Sequence, residues 1–151
     1  MRMEIKYLPY LEEYKSEFLS LVHNLYNEDP DGEIMTDEKI VSTIDFLSEN
    51  PKNGEIILFQ EKGIILGYSI LIYYWSNEFG GQIIFVDELY LKSDYRNKNI
   101  GTNYLHYLFN KKVDNFKAVF LEVFPSNKRA FDFYIKNGFV KSESNYLKRV
   151  L

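Results

Sequence analysis

Residues 94–102 connect a long apolar run to a stretch with helical spacing, and they read Asp94-Tyr95-Arg96-Asn97-Lys98-Asn99-Ile100-Gly101-Thr102. The preceding run predicts a β-strand from Gln82 to Lys92, and apolar residues at helical intervals follow from Ile100. The first turn of a helix offers unpaired N–H groups and the positive end of its dipole, which can hold a phosphate. The segment therefore predicts a phosphate-binding loop in which Arg96 and Lys98 add charge. The alternative is a capped loop with two solvated cations.

The elements around this loop follow from hydrophobic periodicity and turn residues. Strands are predicted at Glu4–Tyr7, Ile56–Gln60, Ile64–Trp75 with a bulge at Gly67, Gln82–Lys92, Ala118–Phe124 and, as one or two closing strands, Phe139–Val150. Helices are predicted from Leu11 to near Asn27, from Thr36 to before Pro51, from Ile100 to Val113 and from Lys128 to Asn137, with Gly138 as a left-handed cap. The order β-α-α-β-β-β-α-β-α-β predicts one α/β domain over residues 1–151. Its sheet is mixed, mostly antiparallel and flanked by helices.

Composition excludes several classes of function. The 151 residues carry a net charge of −4 without a basic cluster, which argues against a nucleic-acid partner. Cysteine is absent, and His23 and His106 lack ligand-spaced neighbours, so we expect no metal site. No signal core or long apolar stretch is present, so we expect a cytoplasmic protein with no membrane partner.

A second informative block, residues 121–139, predicts a strand, a short loop and a helix. Asn127 and Tyr134 are seven residues apart, which places them on nearly the same helix face about 10 Å apart along the axis. One face of this helix could follow an extended ligand. The alternatives are a helix cap for Asn127 and core packing for Tyr134.

Asp87 and Glu88 are two adjacent acids inside an otherwise apolar strand. Burying an unpaired carboxylate is unfavourable, so the pair requires a reason. Neighbouring strand residues point to opposite faces, and one acid could therefore face an acceptor cleft. The alternative is a salt bridge to a neighbouring strand.

The chain resembles the GNAT superfamily of N-acetyltransferases in these blocks and in its element order. The family's pyrophosphate loop reads R/Q-x-x-G-x-G/A; Arg96 and Gly101 match it, and Asn99 replaces its first glycine. Asparagine is a usual substitute for glycine in a left-handed conformation. The block from Asn127 through Tyr134 to Gly138-Phe139 is similar to the family's Asn-helix-Tyr-x-x-x-Gly-Phe segment.

The resemblance implies acetyl-coenzyme A as cosubstrate, with no metal. Its pyrophosphate would lie on Arg96, Asn97, Lys98, Asn99, Ile100, Gly101 and Thr102. The third meander strand would bend near its middle, and backbone N–H groups around Leu89, Tyr90 and Leu91 would pair with pantetheine or the thioester carbonyl. Asn127 would contact pantetheine, and the Tyr134 hydroxyl would protonate the departing thiolate. Glu88, or with less preference Asp87, would accept the proton of the amine.

The acceptor is expected to be a primary amine on a cationic small molecule such as a polyamine. Acidic residues crowd the connection between the first two helices: Glu28, Asp29, Asp31, Glu33, Asp37 and Glu38. They would form a negative funnel or a solvated loop, and Tyr26, Tyr73, Tyr74 and Trp75 could add aromatic walls. A protein N-terminal acetyltransferase and a non-catalytic coenzyme A-binding domain are the alternative functions, and a homodimer is left open.

Overall fold

The computed structural model describes residues 3–111 and 115–151. Its strands are β1 (Lys6–Pro9), β2 (Gly54–Glu61), β3 (Ile64–Ser76), β4 (Gly81–Leu91) and β5 (Phe116–Leu121). Its helices are α1 (Lys15–Glu28), α2 (Asp37–Glu49), α3 (Ile100–Phe109) and α4 (Lys128–Lys136). No helix in these two ranges is long and apolar enough to cross a membrane.

The strands form one sheet in the order β1-β2-β3-β4-β5. The first four strands are an antiparallel meander, and β5 pairs parallel to β4 after the α3 crossover. A parallel neighbour needs a crossover of this kind, and a helix is its usual form. The expected mixed, mostly antiparallel sheet with flanking helices is confirmed.

Each face of the sheet carries its own hydrophobic core. Phe18 of α1 and Ile44 of α2 pack with Leu58 and Tyr68 on one face. On the other face, Tyr104 of α3 joins a cluster that includes Phe59, Leu71, Ile84 and Leu108. These two apolar layers fix which side of β4 each of its side chains faces.

Local sequence signals explain several element boundaries. The Thr36 hydroxyl accepts the Lys39 N–H at 3.3 Å and caps α2. Gly138 takes a φ of 91° just beyond α4, which confirms the predicted left-handed cap. The predicted bulge lies beside Gly67: Phe59 pairs with Gly67 and Gln60 with Ile65, so Leu66 is the extra residue.

Some predicted boundaries differ from the structure. The first strand is Lys6–Pro9, β5 begins and ends earlier than predicted, and α3 ends at Phe109. Val113, its predicted end, lies outside the described residues.

The predicted closing strands are wrong as well, because residues 139–151 contain neither helix nor strand. In that segment Val140 is 88% exposed and Leu147 is 89% exposed. These apolar side chains bury little area, so hydrophobic burial contributes little to ordering the segment as a strand.

Candidate active site

A β-bulge at Asp87 interrupts β4. Ile70 of β3 pairs with Glu88 and Leu71 pairs with Val86, which leaves Asp87 without an opposite residue. An extra residue of this kind bends the strand and increases its twist. The bend implied by the family resemblance is therefore present in β4.

The bulge also changes the face on which Glu88 lies. Directly paired residues in an antiparallel sheet share a face. Val86 and its partner Leu71 belong to the core beneath α3, whereas Ile70, the partner of Glu88, belongs to the core beneath α1 and α2. Asp87 is the unpaired residue of the bulge, and its charge raises the proton affinity of Glu88 and of the Tyr26 hydroxyl. The prediction that the two acids point to opposite faces assumes unbroken alternation, which the bulge interrupts at this point.

Glu88 is held by two tyrosine hydroxyls. Tyr26, in the last turn of α1, donates to Oε2 at 2.9 Å, and Tyr68 of β3 donates to Oε1 at 2.7 Å. Burial raises the pKa of Glu88, the two hydrogen bonds oppose that increase, and the charge of Asp87 adds to it. The predicted alternative of a salt bridge is absent, since no ion pair among the described residues includes either acid.

Asp87 is the more exposed of the two acids. Its side chain borders an open cavity of about 1290 Å³ that also contacts Tyr74, Phe85 and Tyr134. Loss of hydration raises the pKa of Asp87. Two consecutive carboxylates of raised proton affinity therefore lie at the bulge.

The strands β4 and β5 separate at the bulge. Their last paired residues are Val86 and Leu121, while β4 continues to Leu91 with β3 as its remaining partner. The Lys92 N–H donates to Leu66 O of β3 at 2.9 Å. Backbone groups alternate between the two edges of a strand, so those of Leu89 and Leu91 face the opening.

Two left-handed asparagines shape the loop that follows β4. Asn97 has a φ of 59° and Asn99 a φ of 61° immediately before α3. The prediction that asparagine supplies the left-handed turn at 99 is confirmed. The first helical bond runs from Asn103 N–H to Asn99 O at 2.9 Å, so the N–H groups of residues 100–102 precede the helical ladder. These donors are available to an anion.

Gly101 permits close packing between α3 and α4. A Cβ atom at this position would lie 2.9 Å from Cζ of Phe133. The position of the Phe133 ring therefore favours glycine at position 101. The sequence pattern does not reveal this packing reason.

Arg96 is fixed by a network at the end of β4. Its Nη2 lies 2.5 Å from Glu28 Oε2, and its Nε donates to Leu91 O at 2.8 Å. The Tyr90 hydroxyl donates to the other Glu28 oxygen at 3.0 Å. Two of the five guanidinium N–H groups are engaged, which leaves about three for a ligand. Lys98, in contrast, lies over the Tyr95 ring at 5.4 Å.

Asn127 is the N-cap of α4, and Tyr134 lies within that helix. Asn127 Oδ1 accepts the Ala130 N–H at 3.1 Å, and Nδ2 donates to Asp29 Oδ2 at 3.0 Å. The helix-cap interpretation of Asn127 is therefore confirmed. Tyr134 packs between Phe133 and Phe139 at ring distances of 5.1 and 5.5 Å, and its edge borders the cavity. Burial raises the pKa of Tyr134, so its hydroxyl stays protonated at neutral pH.

The acidic connection after α1 contacts other parts of the site. Asp29 accepts from Asn127, Asp31 accepts from Ser126, and Glu33 lies 3.2 Å from Lys148 Nζ. The connection is therefore held against the β5–α4 loop at two points. A purely solvated loop would lack these contacts.

Sequence reasoning missed one residue of this site and misplaced two others. Tyr68 gives no sequence signal for its contact with Glu88, because regular alternation would place Glu88 on the other face. Glu28 was assigned to the acceptor side, yet it binds Arg96. Tyr73 does not line the acceptor side, because it packs in the α3-side core and donates to Glu55 at 2.6 Å.

In residues 3–111 and 115–151, no three His, Asp or Glu residues are grouped as metal ligands.

Comparisons with known proteins agree with this geometry. The model of the acetyltransferase (GNAT) family matches residues 13–139, and the chain belongs to that family. The members of this family are acetyltransferases that use acetyl-coenzyme A.

Individual relatives differ in the acceptors that their names imply. N-alpha-acetyltransferase 50 of Danio rerio is 40% identical over 60 residues, which cover 37% of this chain and 36% of that protein. A possible acetyltransferase from Clostridium difficile 630 superposes with a TM-score of 0.84 at 17% identity, covering 97% of each chain. An aminoglycoside N-acetyltransferase in complex with coenzyme A superposes with a TM-score of 0.76 at 11% identity, covering 98% of this chain and 95% of its own.

Proposed function

We propose that this enzyme transfers an acetyl group from acetyl-coenzyme A to a primary amine of a cationic small molecule, by direct attack in a ternary complex. The observation that carries the proposal is the pair Asp87 and Glu88 on the acceptor side of the β4 bulge, next to the point where β4 and β5 separate. An ammonium ion and a thioester could meet at that opening.

The cosubstrate would occupy the opening and the start of α3. The pyrophosphate would bind the N–H groups of residues 97–102 and the free side-chain donors of Arg96. Pantetheine would run along the backbone of Leu89, Tyr90 and Leu91, with Asn127 on its other side. The N–H groups of Leu89 and Leu91 would also stabilise negative charge that develops on the thioester oxygen.

The proposed reaction uses one proton acceptor and one proton donor. Glu88 removes a proton from the ammonium, directly or through water, and Asp87 supplies negative charge that attracts the cation. The neutral amine then forms a bond to the acetyl carbon, the carbon–sulfur bond breaks, and the nitrogen releases its second proton to solvent, from which Tyr134 regains the proton that it gives up. Tyr134 donates its proton to the departing thiolate. A raised pKa suits Glu88 to accept a proton, just as it keeps Tyr134 able to donate one.

The charge around the opening favours a cationic acceptor. Asp29 and Asp31 line the α1 side through their contacts with the β5–α4 loop, and Glu33 follows them. Together with Asp87 and Glu88 they make the acceptor side negative. Such a field attracts a polyamine or other small amine more than a neutral acceptor.

A peptide N-terminus is the second candidate acceptor. The observation that favours it is the 40% identity over 60 residues to N-alpha-acetyltransferase 50. An α-amino group would use the same proton acceptor, but its peptide would have to fit between the acidic connection and residues 139–151.

Thiol release from acetyl-coenzyme A tests both candidates. The assay would compare spermidine, a diamine, an aminoglycoside and an N-terminal peptide at equal concentrations. We expect higher kcat/KM for the cationic small amines. A clear preference for the peptide would favour the second candidate, and the absence of release with every amine would contradict the proposed acceptor class.

A further inference from the structure

Glu88 is held by two hydroxyl groups that differ in their surroundings. Tyr68 is fully buried, and its ring packs edge-on against Phe18 at 5.1 Å with an interplanar angle of 85°. Tyr26 is partly exposed and lies where α1 meets the acidic connection. Core packing therefore fixes the position of the Tyr68 hydroxyl. The Tyr26 hydroxyl is held by a partly exposed ring at the end of α1, next to the acidic connection.

Tyr26 also touches the acidic connection itself. A Cβ atom at Gly32 would lie 3.7 Å from the Tyr26 ring and 3.9 Å from the Phe124 ring. The backbone of the connection thus passes close to an α1 residue and to a residue that follows β5, with room for one methyl group at Gly32. A larger side chain at this position would meet the Tyr26 ring, whose hydroxyl donates to Glu88.

We propose that Tyr26 is a positioning residue for acetyl transfer, whose hydroxyl orients the Glu88 carboxylate and favours its proton-accepting form. The inference rests on the proposed role of Glu88 as proton acceptor. It adds a second requirement, namely that Tyr26, in the last turn of α1 before the acidic connection, aligns the Glu88 carboxylate.

The groups that face Glu88 determine the expected direction of the effect. They are Tyr26 from α1, Tyr68 from β3 and Asp87 from β4, with Asp29 close to Tyr26 at the end of α1. Donation by Tyr26 favours the ionised carboxylate, and burial together with Asp87 opposes it. Loss of the Tyr26 hydroxyl should therefore raise the pKa of Glu88, so that less of the enzyme carries ionised Glu88 at mildly acidic pH.

The first experiment is the pH profile of kcat/KM for Tyr26→Phe. We expect its acid limb to move to higher pH, with kcat/KM at pH about 6 reduced by roughly tenfold, as for a lost hydrogen bond to a charged group. The Kd for acetyl-coenzyme A should stay within about twofold. Tyr107→Phe is the matched control, because Tyr107 lies on the opposite face against Tyr7 and Tyr104.

A second comparison separates this inference from the proposed function. In Glu88→Gln, the Tyr26→Phe change should have no further effect beyond about twofold, because the group it positions is gone. If Glu88→Gln alone behaves like the parent enzyme, the proposed proton acceptor is wrong and the positioning role fails with it. If Glu88→Gln is impaired while folded Tyr26→Phe keeps the parental pH profile, the positioning role alone is overturned.

A third measurement covers the case in which Tyr26→Phe unfolds. The ¹³C shift of the Glu88 side-chain carboxyl can be titrated in the parent enzyme with and without a bound amine. Coupling through Tyr26 predicts that an amine held by the acidic connection changes the titration midpoint. It also predicts that Gly32→Val, whose methyl groups extend beyond a Cβ position 3.7 Å from the Tyr26 ring, changes the midpoint in the free enzyme. Identical midpoints in all these samples would overturn the inference.

Discussion

Arg96 Nη2 lies 2.5 Å from Glu28 Oε2, so the first residue of the cofactor loop is bound to the last residue of α1. Glu28 in turn begins the acidic connection on the acceptor side. The proposed cofactor and acceptor sites therefore share an ion pair. Because Glu28 and Leu91 O already orient the guanidinium, the ordering entropy of this side chain is largely lost before a phosphate arrives.

The first prediction concerns Arg96 and the pyrophosphate. Arg96→Gln removes a cation and should weaken acetyl-coenzyme A binding by about tenfold or more, as expected for charge-assisted hydrogen bonds. The Kd should also become less dependent on salt, because one ionic contact is lost. Calorimetric titration at two salt concentrations measures both effects. Lys62→Gln, in the β2–β3 turn, is the control, and equal Kd values for the two variants would contradict a role for Arg96.

The second prediction separates two roles of Gly101. Gly101→Val should lower the Tm, because its side chain meets the Phe133 ring, and should weaken acetyl-coenzyme A binding by crowding the phosphate. Adding Phe133→Leu provides space for the new side chain and should recover much of the lost Tm. We expect the Kd to remain weak in the double variant. Recovery of both Tm and Kd would show that Gly101 serves packing alone.

The third prediction concerns Tyr134 as proton donor. Tyr134→Phe keeps the ring packing between Phe133 and Phe139 and removes one hydroxyl. We expect kcat to fall by about 10²–10⁴-fold with little change in the Kd for acetyl-coenzyme A. Because the pKa of Tyr134 is raised, the parent enzyme should retain the donor form at pH about 9. Turnover of the folded variant within about twofold of the parent would return Tyr134 to a packing role.

The element order as far as α4 and the left-handed geometry of the loop before α3 follow from the sequence because they depend on local signals. The apolar periods predict the meander and the α3 crossover, and Asn99 indicates its own left-handed conformation. The faces of Asp87 and Glu88 could not be predicted, since a single unpaired residue in β4 reverses the alternation. Contacts such as Tyr68 to Glu88 join residues that are 20 positions apart, and they depend on that same bulge. Residues 139–151 contain apolar side chains that suggest strands, but the structure leaves those side chains exposed.

The fourth prediction concerns the acidic connection and the identity of the acceptor. Asp31→Asn and Glu33→Gln remove negative charge beside the opening without touching Glu88. They should raise KM for spermidine by several-fold and reduce its salt dependence, with kcat nearly unchanged, because they act on attraction rather than on proton transfer.

Glu88→Gln should instead lower kcat and change the pH profile. Asp87→Asn distinguishes the two strand acids: if Glu88 accepts the proton, it should mainly raise KM. Glu49→Gln, at the end of α2, is a control of equal charge change. If the loop variants match this control and a peptide with uncharged side chains is the preferred acceptor, the cationic small amine is the wrong class, and the contacts of Asp31 and Glu33 serve only to hold the connection in place.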